Sequence, residues 1–90
     1  MQSAIFKYAL QWVPEQKLEI PQNSEFLCLA IQNKRPTIWY KHNPITDDWR
    51  TVTIIMRPTG INNDLFPGED YITTLFTEND SVCWHFFFKH

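Results

Sequence analysis

Apolar and polar residues in this chain exchange places at every second position, and each alternating run is soon cut off by proline, glycine or a cluster of Asn and Asp. Ala4, Phe6, Tyr8, Leu10 and Trp12 fall on one side while Lys7 and Gln11 fall on the other, until Pro14 closes the run. Leu18 and Ile20 repeat the pattern before Pro21, and Val52, Ile54 and Met56 alternate with Thr51, Thr53 and Arg57. Near the end Val82, Trp84, Phe86 and Phe88 share one face, with Cys83, His85 and Phe87 on the other. A period of two is the signature of a strand with distinct faces. No window of roughly 11 residues holds an apolar stripe at helical spacing between breakers. The chain therefore reads as all-β: one small domain over residues 1–90, with six or seven mostly antiparallel strands in a sandwich or a partly open barrel.

The most legible hairpin spans Glu25 to His42. Its first arm, Phe26 to Ile31, is apolar at every position and reads as a central strand covered on both faces. Asn33, Lys34 and Arg35 supply the turn, and Pro36 stands at a strand start, where a missing N–H is tolerated. On the return arm Ile38 and Tyr40 face one way, while Trp39 and Lys41 face the other. A second hairpin joins Tyr71–Thr77 to Ser81–Lys89 around Glu78, Asn79 and Asp80. Between the two lie Asn43 to Trp49, read as a loop, and Pro58 to Asp70. The latter holds both glycines, Gly60 and Gly68, and has no usable period.

Composition narrows the chemistry. Eight Lys and Arg face ten Asp and Glu, so the net charge of −2 supplies no global field for nucleic acid or an anionic membrane. No apolar run approaches the roughly 18 residues of a membrane helix, and the start MQSAIFKYAL has neither a basic leader nor an alanine-type cleavage site. Two cysteines, Cys28 and Cys83, are too few for a stapled secreted scaffold, and both read as small buried thiols. The expectation is a cytoplasmic protein without a membrane segment.

Catalysis is argued against by what such sites require. A nucleophile elbow, a phosphate-cradling glycine loop and a zinc-protease helix need glycines or helices that this sequence lacks. Asp47 and Asp48 read as a solvated turn. Cys83 and His85 share a strand face, with Cys28, His42 and His90 as further donors, yet no CxxC or HxxxH pair is present. We therefore expect no catalytic residue, no metal and no cofactor, and His85 reads as an interior imidazole bonded to backbone.

Phe6-Lys7-Tyr8 with Leu10, Glu15-Gln16, Pro21, Gln32, Trp39, Thr59-Gly60-Ile61, Tyr71-Ile72 with Thr74, and Val82 with His85 and Phe87 form a pattern over nearly the whole chain. That pattern resembles a family of small proteins of unknown function encoded by bacteriophages and prophages. Members usually carry proline at the place of Ala9 and glycine at the place of Thr73, so the last hairpin is expected to bend differently here. The resemblance implies a phage origin and action in the bacterial cytoplasm, and it supplies no site.

Two binding surfaces follow from the residues. Trp49 and Arg50, with Ile61, Asn62, Asp64, Leu65 and Phe66 of the long loop, combine apolar anchors with a polar rim, as protein interfaces do. They are the expected contacts for a host protein, an inhibitor of a bacterial defence system being the sharpest form of that expectation. The alternative reading of Leu65 and Phe66 is a plug over one end of the core. The alternative function is binding of single-stranded nucleic acid through Trp39, Tyr40, Lys41, Arg50 and Arg57, a mixture of stacking aromatics and cations. A minor structural component of a phage particle is a third possibility. A sheet of this size also leaves edges, so a homodimer through an edge strand is expected as an option.

Overall fold

The computed structural model describes residues 3–42, 48–59, 68–77 and 82–89. Seven strands arise where the alternation runs: β1 (Ala4–Ala9), β2 (Glu15–Pro21), β3 (Glu25–Gln32), β4 (Arg35–His42), β5 (Trp49–Pro58), β6 (Glu69–Phe76) and β7 (Cys83–Lys89). No helix occurs among the described residues. The strands form two antiparallel sheets, ordered β1-β4-β3 and β2-β5-β7-β6, which face each other without closing into a barrel. Of the two architectures expected, the sandwich is the one adopted.

The period of two places the core where the sequence predicts it. Ile38 and Tyr40 of β4 meet Ile20 of β2, Ile54 and Met56 of β5 and Phe86 of β7, with Leu10 and Leu29 completing the buried cluster. The chain begins in the three-stranded sheet, crosses to the four-stranded one for β2, returns for β3 and β4, and crosses again for β5. β7 lies between β5 and β6, so the final hairpin folds back into the interior of its sheet. Its two well-covered faces are as expected: Phe86 is buried on the inner side and Phe87 on the outer.

One strand departs from expectation. β3 is an edge strand, and β4 is the centre of its sheet. A bulge between Phe26 and Cys28 inserts Leu27 as an extra residue, leaving Leu27 and Cys28 exposed while Leu29 turns into the core. An unbroken apolar run thus arises from a bulged edge, not from coverage on both faces. The hairpin turn is also tighter than expected, with only Asn33 and Lys34 between the paired Gln32 and Arg35. Their φ values of 52° and 63° are the left-handed backbone that a two-residue turn of this hand requires. Pro36 has no N–H to return to Leu10, whose N–H donates to the Pro36 carbonyl; Arg35 Nε supplies the missing donor to the Leu10 carbonyl at 3.1 Å.

Candidate binding groove

Aromatic pairs pack against β7 at its opposite ends, one from the β1–β2 connection and one from β3. At the start of that strand Trp84 lies against Trp12, ring centroids 6.4 Å apart; at its end Phe88 meets Phe26 edge to face at 5.2 Å. Beside the first pair opens a groove of about 620 Å³, lined by Trp12, Ile31, Lys34, Phe76, Val82 and Trp84. Its volume is in the range of small-ligand and side-chain pockets.

Backbone and side-chain bonds hold this end in place. The Gln16 amide clamps Gln11 from both sides, accepting from its N–H at 3.1 Å and donating to its carbonyl at 2.8 Å. Met56 N–H donates to the Pro14 carbonyl, pinning the connection that carries Trp12. Trp12 Nε1–H donates to the Lys34 carbonyl at 3.1 Å, so the indole's only polar group is used and its apolar faces are left for contact. Thr77 N–H donates to the Val82 carbonyl, fixing Phe76 and Val82 on the opposite wall. Phe76 is 52% exposed and Val82 40%, an unusual concentration of apolar surface around one concavity. Lys34 is the single charged residue among the described lining residues. The groove can therefore accept an apolar group and place a cation at its rim.

A smaller cavity of about 250 Å³ lies beside the second aromatic pair, between Phe26, Tyr40 and Phe88, and carries Arg50 and Lys89. Arg50 Nη2 donates to the Ser24 carbonyl at 2.9 Å, which directs that cation along the gap between the sheets. On the inner face of the three-stranded sheet, His42 is buried between Phe6, at 4.7 Å, and Tyr8, at 5.8 Å, and its Nε2 lies 2.9 Å from the Tyr8 hydroxyl. Burial holds the His42 imidazole below its ordinary value and pushes the Tyr8 phenol up. It also raises Tyr40, which Arg50 draws partly back.

The outer face of the four-stranded sheet carries a polar network. His85 is held through both ring nitrogens, Nε2 at 2.6 Å from Thr59 Oγ1 and Nδ1 at 2.8 Å from Thr74 Oγ1, and Thr74 continues to the Tyr71 hydroxyl at 2.7 Å. The expected backbone partner of His85 is thus replaced by two threonine hydroxyls. Arg57 forms a two-pronged pair with Glu69, at 2.7 and 3.1 Å, and lies 5.4 Å from the Phe87 ring centre. Cys83 sits half-buried on this same face, whereas Cys28 is exposed on the outer face of the other sheet. Both thiols are free, and the expectation that both are buried is corrected by the outward positions their strands give them. Among the described residues no three His, Cys, Asp or Glu side chains are grouped to hold a metal ion.

A family model for a domain of unknown function, DUF7352, matches residues 1–90. The chain belongs to that family. Neither a curated protein nor a solved structure matches it.

In this DUF7352 domain the two predicted surfaces fare differently. Trp49 is 63% exposed at the start of β5, opposite Pro21, and Arg50 turns toward Ser24. Ile61, Asn62, Asp64, Leu65 and Phe66 lie outside the described residues, as does the choice between interface and plug. The nucleic-acid set does not assemble into one groove. Tyr40 is 1% exposed in the core, so its ring cannot stack on a base. Trp39 and Lys41 occupy the outer face of one sheet, Arg57 the outer face of the other, and Arg50 the gap between them. Adjacent strand residues point to opposite faces, and β4 and β5 belong to different sheets. Trp12, Phe76, Val82 and Trp84 make the groove, and no local pattern shows it because Trp12 lies far in sequence from the other three. The available signal is that Trp12 follows a strand end and Trp84 opens a strand, so both mark a sandwich end.

Proposed function

We propose that this DUF7352 domain is a non-enzymatic, phage-encoded binding protein that holds a bacterial host protein in the host cytoplasm. The observation that supports this reading is the groove at the Trp12–Trp84 end, where exposed apolar side chains surround a preformed concavity. Concave apolar surface with few polar groups is what a partner's anchor side chain requires. The anchor is a large apolar residue, with a neighbouring carboxylate directed to Lys34. Loop residues Ile61, Asn62, Asp64, Leu65 and Phe66, with Trp49 and Arg50, form a second contact surface in this proposal. Inhibition of a defence system is its sharpest form, and the phage origin rests on the sequence pattern described above.

Capture from host lysate identifies the partner, and titration with the purified partner then tests the groove. Phe76→Glu is expected to weaken binding by at least about ten-fold, which corresponds to about 1.4 kcal/mol, with an unchanged thermal melt. Leu65→Ala with Phe66→Ala tests the loop in the same way. A partner whose affinity ignores both sets of changes overturns the assignment of contacts, and the absence of any specific partner overturns the function.

A second reading keeps one local observation. Lys7 pairs directly with Trp39 across the β1–β4 ladder, and Lys41 follows two residues on, so an aromatic between cations is present on that outer face. A single-stranded oligonucleotide at low salt would then quench tryptophan fluorescence, with loss on adding salt. Unchanged fluorescence removes this reading.

A further inference from the structure

Each sheet has two edges, and three of the four are blunted. β2 lies between Pro14 and Pro21 and carries Glu15, Lys17 and Glu19 outward; β3 is bulged at Leu27; β6 is bulged between Tyr71 and Thr73 and begins with Glu69 and Asp70. Proline, charge and bulges are how natural sheets prevent edge pairing. β1 has none of these devices. Its register with β4 is unbroken from Ala4 to Ala9, it contains no proline, and its one charged residue is turned away from the edge. Lys7 Nζ donates to Gln32 Oε1 at 2.7 Å, and Gln32 lies on β3, so the side chain reaches across β4 and clears the rim.

The backbone at this edge is determined by one bond. Leu10 N–H donates to the Pro36 carbonyl, so Leu10 points its backbone at β4, and by alternation so do Tyr8, Phe6 and Ala4. The N–H and C=O groups of Ile5, Lys7 and Ala9 therefore face outward. Ile5 is 65% exposed and Phe6 49%, so apolar side chains flank, on both faces, a row of donors and acceptors that no described residue takes up.

We propose that β1 pairs antiparallel with β1 of a second copy of this chain, with Phe6 on the two-fold axis. The strand is complementary to itself in this register. Ile5 bonds with Lys7 of the second copy, and Ser3 with Ala9, so each outward-facing residue from Ser3 to Ala9 gains a backbone partner. Phe6 meets Phe6, and Ala4 meets Tyr8, on the inner face. The neighbouring register centred on Lys7 sets ammonium opposite ammonium and leaves Ser3 without a strand partner. A second copy is favoured over a foreign strand because the same residues supply both halves without a charge conflict. The two three-stranded sheets then merge into one continuous sheet.

Sedimentation or light scattering over a concentration series, extending to millimolar, tests the proposal on the full chain. The parent protein is expected to move from one chain to two as concentration rises. Lys7→Pro removes an N–H that β4 does not use and is expected to weaken dimerisation at least about ten-fold, with the thermal melt showing that the fold survives. Ile5→Lys, which sets two lysines opposite each other, is expected to weaken it as well. Adding Lys7→Glu to Ile5→Lys restores opposite charges and is expected to restore the dimer. A single-chain mass at every concentration overturns the proposal, as does a folded Lys7→Pro variant that dimerises like the parent. Failure of the charge exchange to rescue Ile5→Lys overturns the Phe6-centred register.

Discussion

Glu69 is ionisable, yet its side chain is only 2% exposed. Its two carboxylate oxygens meet the Arg57 fork, whose planar geometry matches them. Removing Arg57 takes two charge-assisted bonds from a buried carboxylate, so Arg57→Ala is expected to lower stability by more than about 1 kcal/mol in chemical denaturation. Arg57→Lys, which keeps the charge but loses the fork, should recover only part of that loss. His42 makes a second residue-scale prediction. Its folded-state value is depressed by burial, so above the ordinary imidazole value both folded and unfolded chains hold it neutral. As pH falls below about 6.5, the unfolded chain takes up a proton that the folded chain resists, and stability declines until the folded value is passed. The melting temperature should fall more between about pH 7 and pH 5 in the parent than in His42→Phe. Equal slopes would remove His42 as the cause.

At the scale of elements, the alternation in the sequence is enough to place β2, β4, β5 and β7 and their inward faces, whereas the first run, read to Val13, ends as β1 at Ala9. Alternation is enough there because a single hydroxyl-bearing or charged face, such as Thr51 with Thr53, leaves no ambiguity about direction. β3 is ambiguous for the converse reason: Phe26 to Ile31 are all apolar, and a bulge is a local backbone event with no side-chain signature in EFLCLAIQ. Edge and centre are properties of pairing partners, which no local pattern encodes. The groove is illegible for a related reason, since four connections must be placed before Trp12 and Phe76 face each other across it. Across the β6–β7 hairpin the consequences of burial separate cleanly. Phe86→Ala, at 0% exposure, is expected to cost about 3–5 kcal/mol in a denaturant titration. Phe76→Ser at the groove wall, half-exposed on β6, should cost less than about 1 kcal/mol. A large loss from Phe76→Ser would place that residue in the core and weaken its assignment to a binding wall.

For the whole molecule, the two sheets are held by a continuous inner core, and an aromatic pair packs at each end of β7. The Trp12–Trp84 pair has a spectroscopic consequence. Two indoles with centroids 6.4 Å apart and planes tilted by 46° have coupled electronic transitions. The other two tryptophans, Trp39 and Trp49, lie on an outer face and at an exposed strand start. Circular dichroism near the indole bands should thus carry a split, two-signed feature belonging to the groove alone. Any occupant that pries the rings apart or rotates one against the other would alter that feature directly, giving the domain an intrinsic optical gauge of whether the site is filled.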